Sequence, residues 1–239
     1  MSVAYDNLPI NFQQLLSAPF REATGGAGDP TQDVARPHHP LILRGATIAW
    51  GQVALSNLTY INLDSDTPDF IECAAADSVD LDFIGDDFAM MCWVHSTGLV
   101  GGRAIMYKGL QDNDGWGWFV RATGQQYFET NQLGVGLHQA TQSPAGDVVI
   151  DTWWLLGMSR SGAAIQLFKN GIGVTDPDET GVHINPASAV ARDLHIGIAD
   201  NEALYPWRGY KWNPRIWGRH LPLNAHKQVF DLEGHFFGW

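Results

Sequence analysis

Residues 151–172, DTWWLLGMSRSGAAIQLFKNGI, constrain the fold more than any other stretch of the chain. Their apolar residues do not recur at the three- and four-residue steps of a helix; they alternate. Trp154, Leu156 and Met158 fall on one side of an extended segment, Trp153 and Leu155 on the other. Beyond a turn at Ser161-Gly162, Ile165 and Leu167 share one side and Gln166 and Phe168 the opposite one. Asn170-Gly171 then supplies a second tight turn. The pattern predicts a hairpin half-buried in a sheet.

The same texture continues along the chain. LILRGATIAW, DFIECAA, DFAMMCWVH, RAIMYKG, GWGWFVRAT, QYFET, LGVGLHQ, DLHIGIA and RGYKWNPRIWG read as strands, with LQDNDG as a turn-rich hairpin loop. NAHKQVFDLE reads as a short C-terminal helix. No long amphipathic segment exists to cover a parallel sheet, which argues against an α/β fold. Short strands separated by turns predict an all-β sandwich or barrel. The 239 residues, 45% hydrophobic, suffice for one such domain, and 26 Gly and 10 Trp suit many turns and a sheet core. Residues 1–12, broken by Asp6-Asn7 and Pro9, read as an arm; residues 13–239 form the domain, entered through irregular chain at 18–40.

Fourteen Lys and Arg against 26 Asp and Glu leave a net charge of −12. An acidic surface repels phosphate backbones and anionic lipid, so neither nucleic acid nor a membrane is an expected partner. The start of the chain carries no basic, apolar leader, and no stretch reaches the ~20 apolar residues of a membrane helix. Synthesis in a cytoplasm is therefore expected, with Cys73 and Cys92 as buried thiols rather than a disulfide.

Several segments in order resemble the laminin-G-like branch of the concanavalin A-like lectin/glucanase superfamily. DFIECAAADSVDLDFIGDDFAMMCWVH resembles its opening strands, RAIMYKG with GWGWFVRAT its next hairpin, and DTWWLLGMSRSGAAIQLFKNGI its Trp-led hairpin ending in Asn-Gly. LHIGIAD and WRGYKWNPRIWGRHLPLNAHKQVFD resemble the closing strands and helix. TQDVARPHHPLILRGA resembles the leading segment, where an Asp precedes a turn and a His-containing loop. The resemblance spans residues 13–239 and implies a jelly-roll β-sandwich of two antiparallel sheets with a short C-terminal helix.

Catalysis is not expected. Six Glu are scattered, no two within five positions, and the glucanase pattern Glu-x-Asp-x-x-Glu is absent. Asp80 and Asp82 are two apart but sit in a turn. Nine His include the adjacent His38 and His39, read as a loop pair, and none shows zinc spacing. Relatives of the resembled fold often hold calcium at the sheet rim. Asp112, Asn113 and Asp114 are the first candidate ligands, ahead of Asp64, Asp66 and Asp69 and of Asp176 and Asp178.

Two functions remain. The resemblance to virion proteins of tailed bacteriophages implies a non-catalytic structural component, a head decoration or tail part located in the virion. It would assemble with other virion proteins or copies of itself through the arm and an aromatic surface. The alternative is a carbohydrate-binding lectin or adhesin module. Trp116, Trp118, Trp207, Tyr210, Trp212, Phe236, Phe237 and Trp239 are the candidate glycan or partner contacts. For Trp116 and Trp118, which share one side of a strand, burial in the core is the competing reading.

Overall fold

The computed structural model describes residues 9–36, 38–64, 66, 68–134, 138–199 and 204–239. Residues 1–8 of the expected arm and residues 135–137 of the LGVGLHQ segment lie outside them. The strands are β1 (Gln14–Ser17), β2 (Pro30–Gln32), β3 (Pro40–Arg44), β4 (Ala49–Gln52), β5 (Thr59–Leu63), β6 (Phe70–Cys73), β7 (Phe88–Ser96) and β8 (Arg103–Leu110). They continue with β9 (Asp114–Val120), β10 (Gln126–Asn131), β11 (His138–Gln142), β12 (Trp153–Ser161), β13 (Ala164–Lys169), β14 (Ile172–Gly173), β15 (Leu194–Ile196) and β16 (Gly209–Trp217). One α-helix, α1 (Leu223–Glu233), follows, then a 3-10 turn at Gly234–Phe237.

The strands build two eight-stranded antiparallel sheets. Sheet I runs β14-β13-β12-β7-β16-β5-β4, with β1 also on β16; sheet II runs β11-β10-β9-β8-β15-β6-β3-β2. The expected all-β jelly-roll sandwich with a short C-terminal helix is what the chain forms. On the edge away from β7, β16 serves two neighbours, and it is bulged between Trp212 and Arg215. Its first half pairs β5 and its second half β1. Asn213 sits there at φ 48°, and Pro214, which has no N–H to give a ladder, is tolerated in the bulge.

The opening hairpin forms as its alternation demands. β12 pairs β13 from Leu156↔Lys169 to Ser161↔Ala164, and Asn170 (φ 50°) and Gly171 (φ 74°) take the left-handed conformations of a tight turn. Leu156, Met158, Ile165 and Leu167 enter the core between the sheets, while Leu155 and Trp153 face the outside of sheet I. One strand expectation differs. LILRGATIAW is two strands in opposite sheets, β3 and β4, because the chain turns at Gly45 (φ 108°). A Cβ at Gly45 would stand 2.1 Å from Asp69 Oδ1, and that buried carboxylate holds the turn by accepting from Thr47 N and Thr47 Oγ1.

The core between the sheets carries Trp116, Trp118 and Trp207, all fully buried. Each indole removes roughly 150–250 Å² from water, about 4–6 kcal/mol of transfer free energy. Trp116 Nε1 donates to Leu81 O at 3.1 Å. These three side chains therefore form no exposed stacking platform, a correction to their reading as contacts: Trp116 and Trp118 point between the sheets from β9, and Trp207 joins the same core from the chain just before β16. Cys73 and Cys92 are free, buried thiols, which burial pushes up to about 12 and about 11.

The outside of sheet I is apolar and covered. Ala89, Met91, Trp93, Leu155, Trp212 and Trp217 lie under α1 and the final turn. Arg215 on β16 meets Glu233 of α1 through two bonds of 2.8 and 2.9 Å, and Trp93 Nε1 donates to the same carboxylate at 2.8 Å. Phe237 stacks on Trp93 at 4.1 Å, and Trp239 Nε1 donates to Trp153 O at 2.9 Å. Trp212 is buried beneath Phe237 at 5.6 Å, which corrects its reading as a surface contact. The described end of the arm docks on the same domain. Ile10 is buried, its carbonyl accepts from Trp217 Nε1 at 2.8 Å, and Arg219 donates to Phe12 O at 2.8 Å.

Candidate functional site on the outer face of sheet II

Sheet II carries no α-helix on its outer face among the described residues; there Ala199 and Tyr205 pack on Ala104, Tyr107, Phe119 and Tyr127. Alternation on its strands sends Trp116, Trp118, Val120, Phe128 and Thr130 inward, so their neighbours Gly117, Phe119, Arg121, Tyr127 and Glu129 face out. Register aligns Glu129, Gly117, Tyr107, His195 and Glu72 in one row across β10, β9, β8, β15 and β6. The adjacent row carries Gln142, Tyr127, Phe119 and Ala104. Gly117 is what lets the rings lie flat here. A Cβ on it would stand 2.5 Å from Tyr107 and 2.6 Å from Phe119.

A hollow of about 420 Å³ opens on this face. Phe119, Tyr127 and Tyr205 wall it, with Gln111, Arg121, Thr123, Gln125 and Glu129 along the lining. Tyr205 meets Phe119 edge to face at 5.3 Å. The Arg121 guanidinium lies 3.8 Å over the Tyr127 ring and donates to Gln142 Oε1 at 3.1 Å, so an exposed cation is held flat at the rim. Burial, reinforced by the charge of Glu129, pushes the Tyr127 hydroxyl up to about 12, so it stays protonated and able to donate. Arg103 also borders the hollow, but its guanidinium donates to the carbonyls of Gly98, Gly102 and Pro206 and fastens the neighbouring loops. Glu129, buried and accepting from Asn131 Nδ2 at 3.1 Å, is the single carboxylate of the lining among the described residues.

The other expected site residues lie elsewhere. Tyr210, Phe237 and Trp239 sit with Tyr60, His95 and Trp153 on the outside of sheet I, where the rings stack on one another. Tyr210 packs at 4.5 Å on Tyr60 and 4.8 Å on His95, and Trp239 at 5.0 Å on Trp154. Phe236 lines a separate rim cavity with Trp212 and Glu233. At the hairpin turn, Asp112 pairs with His138, and Asp114 with Arg192 at 3.1 Å, while Asn113 donates to Asp114 at 3.2 Å. The two carboxylates thus face separate side chains, His138 and Arg192, rather than one point. Asp80 and Asp82 diverge as well. Asp82 takes the Ala189 N–H and the Ser188 hydroxyl, whereas Asp80 meets His39. His39 is not a loop residue in solvent. It is buried, with Nδ1 at 2.8 Å from Asp33 and Nε2 at 2.9 Å from Asp80. Burial alone would lower its pKa; the two carboxylates outweigh burial and raise it to about 9.

No protein-family model and no curated protein sequence matches the chain. Solved structures do. The binding domain of paraclostridial mosquitocidal protein 1 is similar with a TM-score of 0.69 at 11% identity, over 96% of this chain and 56% of that one. The binding domain of botulinum neurotoxin DC, solved with rat synaptotagmin II, is similar at 0.66 and 12% identity, over 93% and 52%. Botulinum neurotoxin type C, which depends on two ganglioside molecules to enter cells, is similar at 0.65 and 12%, over 93% and 52%. The chain spans about half the length of these relatives, and the likeness is one of fold.

Proposed function

We infer that this chain is a non-catalytic carbohydrate-binding module whose ligand lies in the hollow on sheet II. The observation that carries the reading is the wall of Phe119, Tyr127 and Tyr205 set beside Arg121 and Glu129. Aromatic faces match the C–H faces of a sugar ring, and the charged and amide groups around them match its hydroxyls. The volume of about 420 Å³ lies within the usual range of small-ligand sites, roughly 300–1,000 Å³, and suits one or two sugar units. Longer proteins of the same fold that bind a protein receptor or gangliosides lend support by analogy of fold.

Assembly in a bacteriophage virion has weaker support. It rests on the sequence resemblance, and Ile10, Phe237 and Trp239, which it needs as contacts, are engaged with their own domain. Screening the chain on immobilised glycans, followed by calorimetric titration of the best binder, tests the inference. Arg121→Ala and Tyr205→Ala should each weaken binding about tenfold or more, because each removes a wall or rim of the hollow while leaving the core intact. Unchanged affinity in both variants rejects the site.

A further inference from the structure

Four residues of the outer row of sheet II remain outside the hollow's lining, and two of them belong to a tight cluster. His195 on β15 pairs directly with Glu72 on β6, and Asp193, two residues before His195, falls on the same side of the extended chain. Ligand atoms of Glu72, Asp193 and His195 all lie within 4.8 Å of one another. We propose that these three side chains form a binding site for a divalent transition-metal ion of the zinc type.

Three observations carry this. His195 is only 6% exposed, yet its Nε2 has no hydrogen-bond partner among the described residues. A buried polar nitrogen left unpaired costs about 1–3 kcal/mol, and a metal ion removes that cost. Both carboxylates are already oriented by a second contact. Glu72 Oε1 accepts from Arg44 Nη2 at 2.7 Å, and Asp193 Oδ1 accepts from Ala75 N at 2.6 Å. Such outer contacts are what hold metal ligands in place. Phe70 packs edge-on against the imidazole at 5.3 Å and fixes the ring plane.

The donor set selects the ion. A buried imidazole with two carboxylates suits zinc and its first-row neighbours better than calcium or magnesium, which take oxygen alone. Zinc ligands sit about 2.0–2.2 Å from the ion, so the three atoms must close by about 1 Å, within reach of side-chain rotation. Three protein ligands leave a fourth position for water or a ligand oxygen. His195 pairs with Tyr107 on β8, so the ion would stand on the same face as the hollow, two strands from Phe119 on β9. Sequence spacing could not show this site, because Glu72 and His195 are 123 positions apart and meet only across the ladder.

The test uses the full chain stripped of metal by chelation and dialysis, then titrated with Co²⁺ and Zn²⁺ alone. The expected result is one equivalent of Co²⁺ giving the visible absorption of a low-coordinate site, displaced by Zn²⁺. His195→Gln and Glu72→Gln should each lose about tenfold or more in affinity, while the exposed His38→Ala should not. Near-ultraviolet circular dichroism checks that each variant is folded. Should His195→Gln fail to fold, Glu72→Gln and the shift of the His195 ring resonances in the unaltered chain on adding Zn²⁺ decide the matter. A spectrum of hydrated Co²⁺ only, or equal affinity in Glu72→Gln and the unaltered chain, overturns the proposal. None of these readouts depends on glycan binding.

Discussion

The two outer faces of the sandwich come from the same alternation and meet opposite fates. Outside sheet I, the alternate residues are Ala89, Met91, Trp93, Leu155 and Trp212, which water will not tolerate as a bare patch. The chain covers them with α1 and fastens it through the buried Arg215–Glu233 pair. Outside sheet II, the corresponding positions include Gly117, Arg121, Tyr127, Glu129, His195 and Glu72; Arg121 is exposed and Glu72 half-buried, while Tyr127, Glu129 and His195 are buried polar or amphipathic groups. The difference lies in which parity of each strand carries aliphatic bulk: that of sheet I takes a helix, and that of sheet II keeps polar groups beside a hollow.

Glu233→Ala should strike the covered face hardest. It strips Arg215 of its partner in a buried site and removes the acceptor of Trp93, so about 3–5 kcal/mol of stability should go. Urea unfolding measures this. A loss below about 1 kcal/mol would mean the helix is held by packing alone.

Lys211 gives a change of opposite sign. It is fully buried, 3.6 Å from the Trp207 ring, and its Nζ has no hydrogen-bond partner among the described residues. Burial lowers its pKa to about 7, from 10.5 in the unfolded chain. Between those values the unfolded chain binds more protons, so stability should rise with pH across that window, and below pH 7 the full penalty is present. Lys211→Met should therefore raise stability at pH 6 by about 1–4 kcal/mol and flatten the alkaline rise. Denaturation curves at pH 6 and pH 10 that keep the same spacing in the variant would refute this.

Acid should act through α1. His226 stacks at 3.7 Å on Phe168 and lies 3.1 Å from Ser159 Oγ, and burial lowers its pKa to about 3. The unfolded chain takes up that proton near pH 6.5, so stability should fall as pH drops from about 6.5 toward 3. His226 ring resonances that titrate normally near pH 6.5 in the folded protein would contradict the burial argument.

Trp116→Phe should cost about 1–3 kcal/mol through lost volume and the lost bond to Leu81 O, with glycan affinity unchanged. A variant of full stability that no longer binds glycan would restore Trp116 as a contact. The smallest effect belongs to Trp239→Ala. This side chain is half-exposed at the chain's end, and its loss should cost about 1 kcal/mol or less.

Much of the fold was legible because a two-residue period is a local signal. The hairpin of β12 and β13 needed only Trp154, Leu156, Ile165, Leu167 and the Asn170-Gly171 turn. The split of LILRGATIAW between sheets was harder, since only the Asp69 carboxylate, distant in sequence, shows why Gly45 must turn. The site was half legible. GWGWFVR shows that burying Trp116 and Trp118 turns Phe119 and Arg121 outward, and QYFET does the same for Tyr127 and Glu129. Choosing the largest aromatics as contacts picked the buried parity instead. Tyr205, and the His39 bridge between Asp33 and Asp80, depend on contacts between segments far apart in the chain and leave no mark in local pattern.

The central claim is that the hollow on the outer face of sheet II, and not the ring cluster outside sheet I, receives the ligand. Backbone chemical-shift mapping during titration with the strongest glycan from a screen tests this most directly. The account predicts shifts concentrated at Phe119, Arg121, Tyr127, Glu129 and Tyr205. Shifts centred on Tyr60, Trp153 and Tyr210, or no response to any glycan, would contradict it.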